Sequence, residues 1–260
     1  MLNEVKIATP ISNLFSEIVD ANKIIEVSNC LECRDHSINA NYSLQEIFHC
    51  ELQPIHNFNR KEINYLKKIK SVKKDLKLIS FHLASCYKNP KLIDGKFYPR
   101  GKKISKPNLL YNAKKNLSLI KEIFGNNIKI AVENNNYFKT EAYDYVCEPS
   151  FINSIVMTNN IFFLFDIAHA KISAHNMNIS QNDYKYNLPL SKTIQVHIAK
   201  PGFNLKNEIF DKHDLPTENE ITESLNLKNE FCSIEYFTVE YYKNTDKLIK
   251  FLNLLKSKLK

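Results

Sequence analysis

The sequence predicts a single-domain (β/α)₈ TIM barrel, and three observations lead to that fold class. Short runs rich in β-branched and aromatic residues alternate with Lys-, Glu- and Leu-rich segments that have helical spacing. The strand-like runs are almost continuously apolar, as parallel strands buried on both faces require. No low-complexity linker or solenoid repeat divides the 260 residues, and about 250 residues is the usual size of this barrel. One domain over 1–260 is therefore the simplest interpretation.

Eight runs are the candidate barrel strands, one for each βα unit. They cover residues 5–11, 23–29, 50–56, 76–84, 128–134, 161–169, 193–199 and 231–237. Amphipathic segments at 59–76 and 107–125 predict helices between them, the second with Gly125 as its C-cap, and a helix over 245–260 would complete the outer ring. The segment 87–106 is long for a βα connection, and such loops often contact substrate.

Composition argues against a membrane protein and a disulfide scaffold. No stretch approaches the roughly 20 apolar residues of a membrane span, and the N-terminus lacks the layout of a signal peptide. The six cysteines are scattered, and the CxxC at Cys30 and Cys33 has no second pair at zinc-site spacing. We therefore expect a soluble, cytoplasmic protein with reduced thiols and no membrane partner.

The formal net charge of +8 would suit a nucleic-acid partner. Arginine, which reads phosphate groups through its planar fork, occurs only three times, whereas lysine is abundant. The positive charge is therefore better explained by overall composition than by a phosphate-binding surface.

The ends of the predicted strands indicate metal chemistry, because reactive groups in a TIM barrel lie at the C-terminal ends of its strands. A lone histidine or carboxylate there is usually a hydrogen-bonded core residue, an ion-pair partner or a helix N-cap. A charged group inside an apolar run such as FFLFDIAH, however, is costly to bury unless it is paired or metal-bound. Nine imidazole and carboxylate groups are the candidate ligands of two or three metal ions: His56, His82, Glu133, Asp166, His169, His197, Asp211, His213 and Glu235.

The spacing of these residues suits a cluster of ions. Asp166 and His169, in D-x-x-H, can bind different ions, whereas Asp211 and His213, in D-x-H, can bind one ion together. All nine ligands offer nitrogen or oxygen, which suits iron, manganese or zinc and leaves the element open.

Two carboxylates are placed to bridge metals. Glu133 and Glu235 are expected on strands far enough apart around the barrel to hold two ions roughly 3.5–4 Å from one another. Together with Asp166 they are the candidate catalytic residues. His36 and His49 lie outside the pattern and are expected to be ordinary residues, and His175 is a weaker candidate near the rim.

The order of these groups resembles that of the xylose-isomerase-like TIM barrels, in particular endonuclease IV with its trinuclear zinc site. The local sequence is more similar to the multinuclear non-heme iron-dependent oxidases. The similar segments are 132–138, 148–176, 196–202 with 211–216, and 233–237. The second is the most specific, because a PxF helix start, an apolar strand, D-x-x-HA and SAHN occur in one order. The N-terminal third matches poorly.

This resemblance implies an enzyme that uses two or three irons and dioxygen to oxidise a residue, often cysteine, of a ribosomally made peptide. A small partner protein commonly delivers the peptide in that family. The resemblance also implies bridging by Glu133 and Glu235, with three ions completed by His56 and His82, by Asp166 and His197, and by His169, Asp211 and His213. An abasic-site phosphodiesterase with a nucleic-acid partner, a sugar isomerase or epimerase, and a barrel without chemistry remain alternatives.

Overall fold

The computed structural model describes residues 4–205 and 207–259. Eight parallel strands close into a barrel in chain order, with the last strand pairing with the first, so the predicted (β/α)₈ fold class is confirmed. The barrel strands are β1 (Lys6–Pro10), β2 (Cys30–Arg34), β3 (Gln45–Cys50), β4 (Leu78–His82), β7 (Lys129–Glu133), β8 (Phe162–Asp166), β9 (Thr193–Ile198) and β12 (Tyr236–Val239). Two antiparallel hairpins are inserted after β4 and β9: β5 (Lys91–Ile93) with β6 (Lys96–Tyr98), and β10 (Lys200–Phe203) with β11 (Ile209–Asp214).

Helices surround the barrel, although β2 is followed only by a short 3₁₀ turn. Among the described residues, no helix is both long and apolar enough to cross a membrane. The helices are α1 (Ile18–Val27), α2 (Arg60–Val72), α3 (Lys106–Phe124), α4 (Pro149–Asn159), α5 (Ile167–Met177), α6 (Gln181–Tyr186), α7 (Glu218–Glu230) and α8 (Thr245–Leu259). Gly125 ends α3 at φ +75°, as expected of a C-cap glycine.

Three predicted strands are corrected. The run at 23–29 is the end of helix α1, because Ala21 and Ile24, three residues apart, both face the core. The strand predicted at 50–56 lies earlier in the chain. β3 spans Gln45–Cys50, where it pairs with its neighbours, so only Cys50 belongs to both. The strand predicted at 231–237 begins only at Tyr236.

The barrel interior changes from apolar to polar within one layer of side chains. Each barrel strand contributes one residue to an inner apolar cluster separate from the outer core: Ala8, Cys30, Ile47, Leu78, Ala131, Leu164, Ile194 and Tyr236. Because alternate residues of a strand share a face, the next inward position lies two residues on. In six strands it holds a polar side chain, namely Glu32, His49, Ser80, Glu133, Asp166 or Thr238. The apolar layer thus forms the floor of a polar chamber at the C-terminal end.

Asn116 of α3 joins the helix to the loop after β3. Its buried amide donates to the backbone oxygens of Pro54, at 2.8 Å, and His56, at 2.6 Å. We expect Asn116→Ala to lower the free energy of unfolding by about 1–3 kcal/mol, because two buried carbonyls lose their donor. Urea denaturation measures the loss. Lys115→Ala, at an exposed position of the same helix, is the control, and an equally small effect of both substitutions would contradict this role of Asn116.

Candidate metal centre

Imidazole and carboxylate side chains from most barrel strands meet at the C-terminal end of the barrel. They line a cleft of about 480 Å³, which the β5–β6 hairpin borders with Leu92, Gly95 and Phe97. Three groups of neighbouring donor atoms can be distinguished there, and we call them donor sets A, B and C.

Donor set A surrounds Nδ1 of His197. This nitrogen lies 3.2 Å from Oε1 of Glu133, 3.7 Å from Oδ2 of Asp166 and 3.3 Å from Oε1 of Glu240. All four side chains are buried. Among the described residues, His197 Nδ1 and Asp166 Oδ2 have no hydrogen-bond partner. Buried polar atoms are normally satisfied, so four converging donors with two unpaired atoms fit a cation.

Donor set B consists of His49, His82 and the second oxygen of Glu133. Oε2 of Glu133 lies 3.5 Å from Nε2 of His49 and 2.9 Å from Nδ1 of His82. The other ring nitrogen of His49 contacts the Ser80 hydroxyl at 2.8 Å. That contact leaves Nε2 of His49 facing the carboxylate. Glu133 Oε2 is another buried atom without a hydrogen bond among the described residues.

Donor set C lies at the mouth of the cleft. Oδ2 of Asp211 is 3.3 Å from Nε2 of His169 and 3.2 Å from Nε2 of His213, which in turn lies 3.2 Å from Oε2 of Glu240. Nδ1 of His169 contacts the backbone oxygen of Asn134 at 2.9 Å, so its Nε2 faces Asp211. His213 has a left-handed backbone, with φ +46°, which few residues other than glycine adopt.

Electrostatics also indicate that the chamber is suited to cations. Although burial alone would raise the pKa of Glu133, the neighbouring His49, His169 and His82 hold it well below its usual value. Burial raises the pKa of Asp166 and lowers that of His49 to about 4. Burial opposes protonation of His197, yet the adjacent Glu240 and Glu32 raise its pKa well above the usual value. Histidine protons thus balance carboxylates that metal ions could balance instead.

Seven of the nine candidate residues from the sequence belong to the three donor sets. Asp166 lies in donor set A and His169 in donor set C, although Oδ2 of Asp166 and Nδ1 of His169 are 3.8 Å apart, and Asp211 and His213 share donor set C. The seven are His82, Glu133, Asp166, His169, His197, Asp211 and His213.

Glu235 lies at the opposite end of the barrel, and its expected position is corrected. It precedes β12 and pairs with Lys129, the first residue of β7. Glu133 is the last residue of β7, roughly 13 Å further along at about 3.3 Å per residue. Glu240, which follows β12, occupies the position expected of Glu235. The two differ by five residues, so they face opposite sides of the strand.

His56 lies outside the cleft, and its place among the donors is taken by His49. β3 ends at Cys50, six residues before His56. His56 is buried in the following loop, where Nε2 contacts the Ser85 backbone oxygen at 2.9 Å, and burial lowers its pKa. His49 faces inward because it lies two residues after Ile47 of the apolar floor.

The other two histidines lie away from the donor sets. His36 is exposed and contacts the backbone oxygen of Ile11 at 3.0 Å. His175 is exposed near the end of α5, with its ring 6.2 Å from that of Phe203. The structure therefore supports the expectation that His36 is an ordinary residue and gives His175 no place at the cleft.

Several solved structures have a similar fold. The apo form of 3-keto-D-glucoside 4-epimerase YcjR from E. coli is 11% identical, with a TM-score of 0.61 over 97% of this chain and 99% of that chain. D-psicose 3-epimerase from Clostridium cellulolyticum H10 is 12% identical, with a TM-score of 0.57 over 98% and 100%. The AsfvAP:AG structure is 13% identical, with a TM-score of 0.58 over 99% and 100%. At such identities the likeness concerns the fold alone.

A TIM barrel with buried histidine and carboxylate clusters defines the class of the protein. Residues 55–250 match the model of a family described as RiPP precursor modification enzymes MbnB/TglH/ChrH, where RiPP denotes ribosomally made, post-translationally modified peptides. The chain belongs to this family. No curated protein sequence matches it significantly.

Because donor sets A and B share the carboxylate of Glu133, we expect Glu133→Gln and Glu235→Gln to differ in metal content. We expect Glu133→Gln to lose at least one bound metal ion, or to weaken its binding at least tenfold, because donor sets A and B share this side chain. Metal analysis of purified protein before and after dialysis against a chelator measures the change. Glu235→Gln, at the other end of the barrel, should keep the wild-type content. A fall of equal size in both variants would rule out this assignment.

A pair of histidines provides a second comparison. His49→Gln should lose or weaken the ion of donor set B, because the amide replaces an imidazole nitrogen that faces Glu133. His56→Gln should keep the metal content and lower only the thermal stability, since His56 bonds to a backbone oxygen in a loop. The same metal analysis, with a thermal unfolding curve for each variant, separates the two residues. Loss of metal from His56→Gln alone would restore His56 as the ligand.

Proposed function

We propose that the protein is a multinuclear iron-dependent oxidase that uses dioxygen to modify a residue, most specifically a cysteine, of a precursor peptide. The observation that carries this proposal is the position of Glu133 between donor sets A and B. Each of its two oxygens faces different histidines, as a carboxylate bridging two ions would. A single-ion hydrolase or isomerase does not need such a bridge.

The donor chemistry supports iron among the possible metals. The three donor sets offer only imidazole nitrogen and carboxylate oxygen, which suit iron, manganese and zinc. Zinc has no redox chemistry, whereas oxidation of a thiol requires electron transfer. When bound, iron would supply electron transfer between the peptide and dioxygen. His49, His82 and Glu133 would hold one ion, Glu133, Asp166, His197 and Glu240 a second, and His169, Asp211 and His213 a third.

The chain's other residues would position the peptide. His82 and His213 are the more exposed histidines of the donor sets, with side-chain exposures of 25% and 27%, so a peptide side chain would approach between them. Leu92 and Phe97 give the cleft an apolar wall. Leu92 is 63% exposed, which leaves apolar surface for the peptide or for a small protein that delivers it.

We expect the iron-loaded protein to change the mass of a cysteine-containing precursor peptide in air. We expect a short cysteine-containing peptide, and a small partner protein, to be encoded beside its gene. The test is coexpression with them, followed by mass spectrometry. Purified protein should hold two or three irons per chain.

Three controls define the outcome. The mass change should disappear with Glu133→Gln, with cysteine replaced by serine in the peptide, and under anaerobic conditions. If the protein holds its full iron content and the peptide, delivered with its partner, keeps its mass in air, the proposed function is wrong. Tightly held zinc together with cleavage of abasic DNA would favour a phosphodiesterase instead.

A further inference from the structure

Glu32 of β2 lies beside donor set A, and both of its carboxylate oxygens have hydrogen-bond partners. It is completely buried. Oε1 accepts from Nε and Nη2 of Arg34, at 3.1 and 2.9 Å. Oε2 accepts from the Gln195 amide at 2.7 Å, from the Thr238 hydroxyl at 3.3 Å, and contacts Nε2 of His197 at 3.0 Å. Glu32 therefore has no oxygen left unpaired.

Glu32 could in principle be a metal ligand, because it lies with His197 and Glu240 in a group whose donor atoms are all within 4.8 Å of one another. Two observations argue against this role. Arg34 pairs with both Glu32 and Glu240, so a cation already lies between the two carboxylates. The unpaired atom of His197 is Nδ1, which faces donor set A, whereas Nε2 faces Glu32.

We propose that Glu32 is a positioning residue that makes His197 a metal ligand through Nδ1. The carboxylate accepts the Nε2–H proton of the ring, and this leaves the Nδ1 lone pair directed at Glu133, Asp166 and Glu240. Such a carboxylate acceptor behind a ligating histidine fixes both the tautomer and the ring orientation. Arg34 keeps Glu32 in place and ties it to Glu240.

The surroundings of Glu32 explain why a neutral amide cannot replace it. An amide offers one oxygen, but Arg34 lies on one side of Glu32, and Gln195 and His197 lie on the other, all as donors. In Glu32→Gln, the new NH₂ group must therefore face donors on one side. If it faces His197, Nε2 must become an acceptor and the ring proton must move to Nδ1, so a metal binds Nδ1 only by displacing that proton and is held less tightly.

The test measures how many zinc ions purified, zinc-loaded protein holds and how tightly it binds each of them. This proposal rests on the metal binding of the proposed function but on neither iron nor peptide chemistry. We expect Glu32→Gln to hold the same number of zinc ions at saturation and to release one of them about 10–100-fold more readily. Competition with a series of chelators, followed by metal analysis, gives both quantities. Glu46→Gln, which removes a charge paired with Lys6 near the start of its strand, should behave as the wild type.

The outcomes separate the alternatives. If Glu32 binds a metal itself, Glu32→Gln will hold one zinc ion fewer even at saturation, and the positioning role is overturned. Unchanged number and unchanged affinity would overturn it as well. Should Glu32→Gln not fold, Thr238→Val removes only one donor to Glu32, and we expect a severalfold weaker hold on the same single ion. No weakening in Thr238→Val would then refute the proposal. A protein that fails to oxidise peptide but gives the expected zinc result would refute only the proposed function.

Discussion

The arrangement depends on concentrating negative charge inside the barrel. Glu32, Glu133, Asp166 and Glu240 are all buried in one chamber, with Arg34 as the neighbouring guanidinium. Two like charges 4 Å apart repel by roughly 4 kcal/mol at an effective dielectric constant of 20. Without further positive charge this chamber would oppose folding, and the same carboxylates raise the pKa values of His169, His197 and His213. Metal ions placed among the same atoms would offset the repulsion and couple metal binding to folding.

The barrel accommodates this polar chamber because its N-terminal end is packed with apolar side chains, whereas the ionisable groups lie toward its C-terminal end. At the N-terminal end, the apolar floor closes the interior, and Lys6 and Lys129 pair with Glu46 and Glu235 around its margin. Glu235 is therefore an ion-pair partner near the floor. One inward position higher, each strand can present an ionisable group without disturbing the packing below. The strand alternation thus fixes the height of the donors, and the register between strands fixes how they meet.

The sequence predicts the fold and the donors on β7, β8 and β9, because the ends of these strands are marked by charged residues or histidines that follow apolar runs. In FFLFDIAH the charged residue stands out against an apolar run, and the helix begins immediately after it. The strands β2, β3 and β12 lack such a boundary. KIIEV has strand-like residues but forms the end of α1, so the predicted strand lies before Glu32, which also lies inside an apolar run. His49 and Glu240 can be recognised as donors only when it is known which residues of β3 and β12 point into the barrel. Ile47 and Tyr236 point inward, so His49 and Glu240, an even number of residues further on, do so too.

The N-terminal third has a larger part in the centre than its weak family resemblance suggests. The family match covers residues 55–250, yet Glu32, Arg34 and His49 all precede it. Their contribution depends on placement more than on local sequence, since each needs only an inward position on β2 or β3 at the height of Glu133. A sequence pattern records neighbours along the chain, whereas His197 meets Glu32 from 165 positions away. Groups that support the metal ligands from other strands are therefore the part of such a site that only the folded chain reveals.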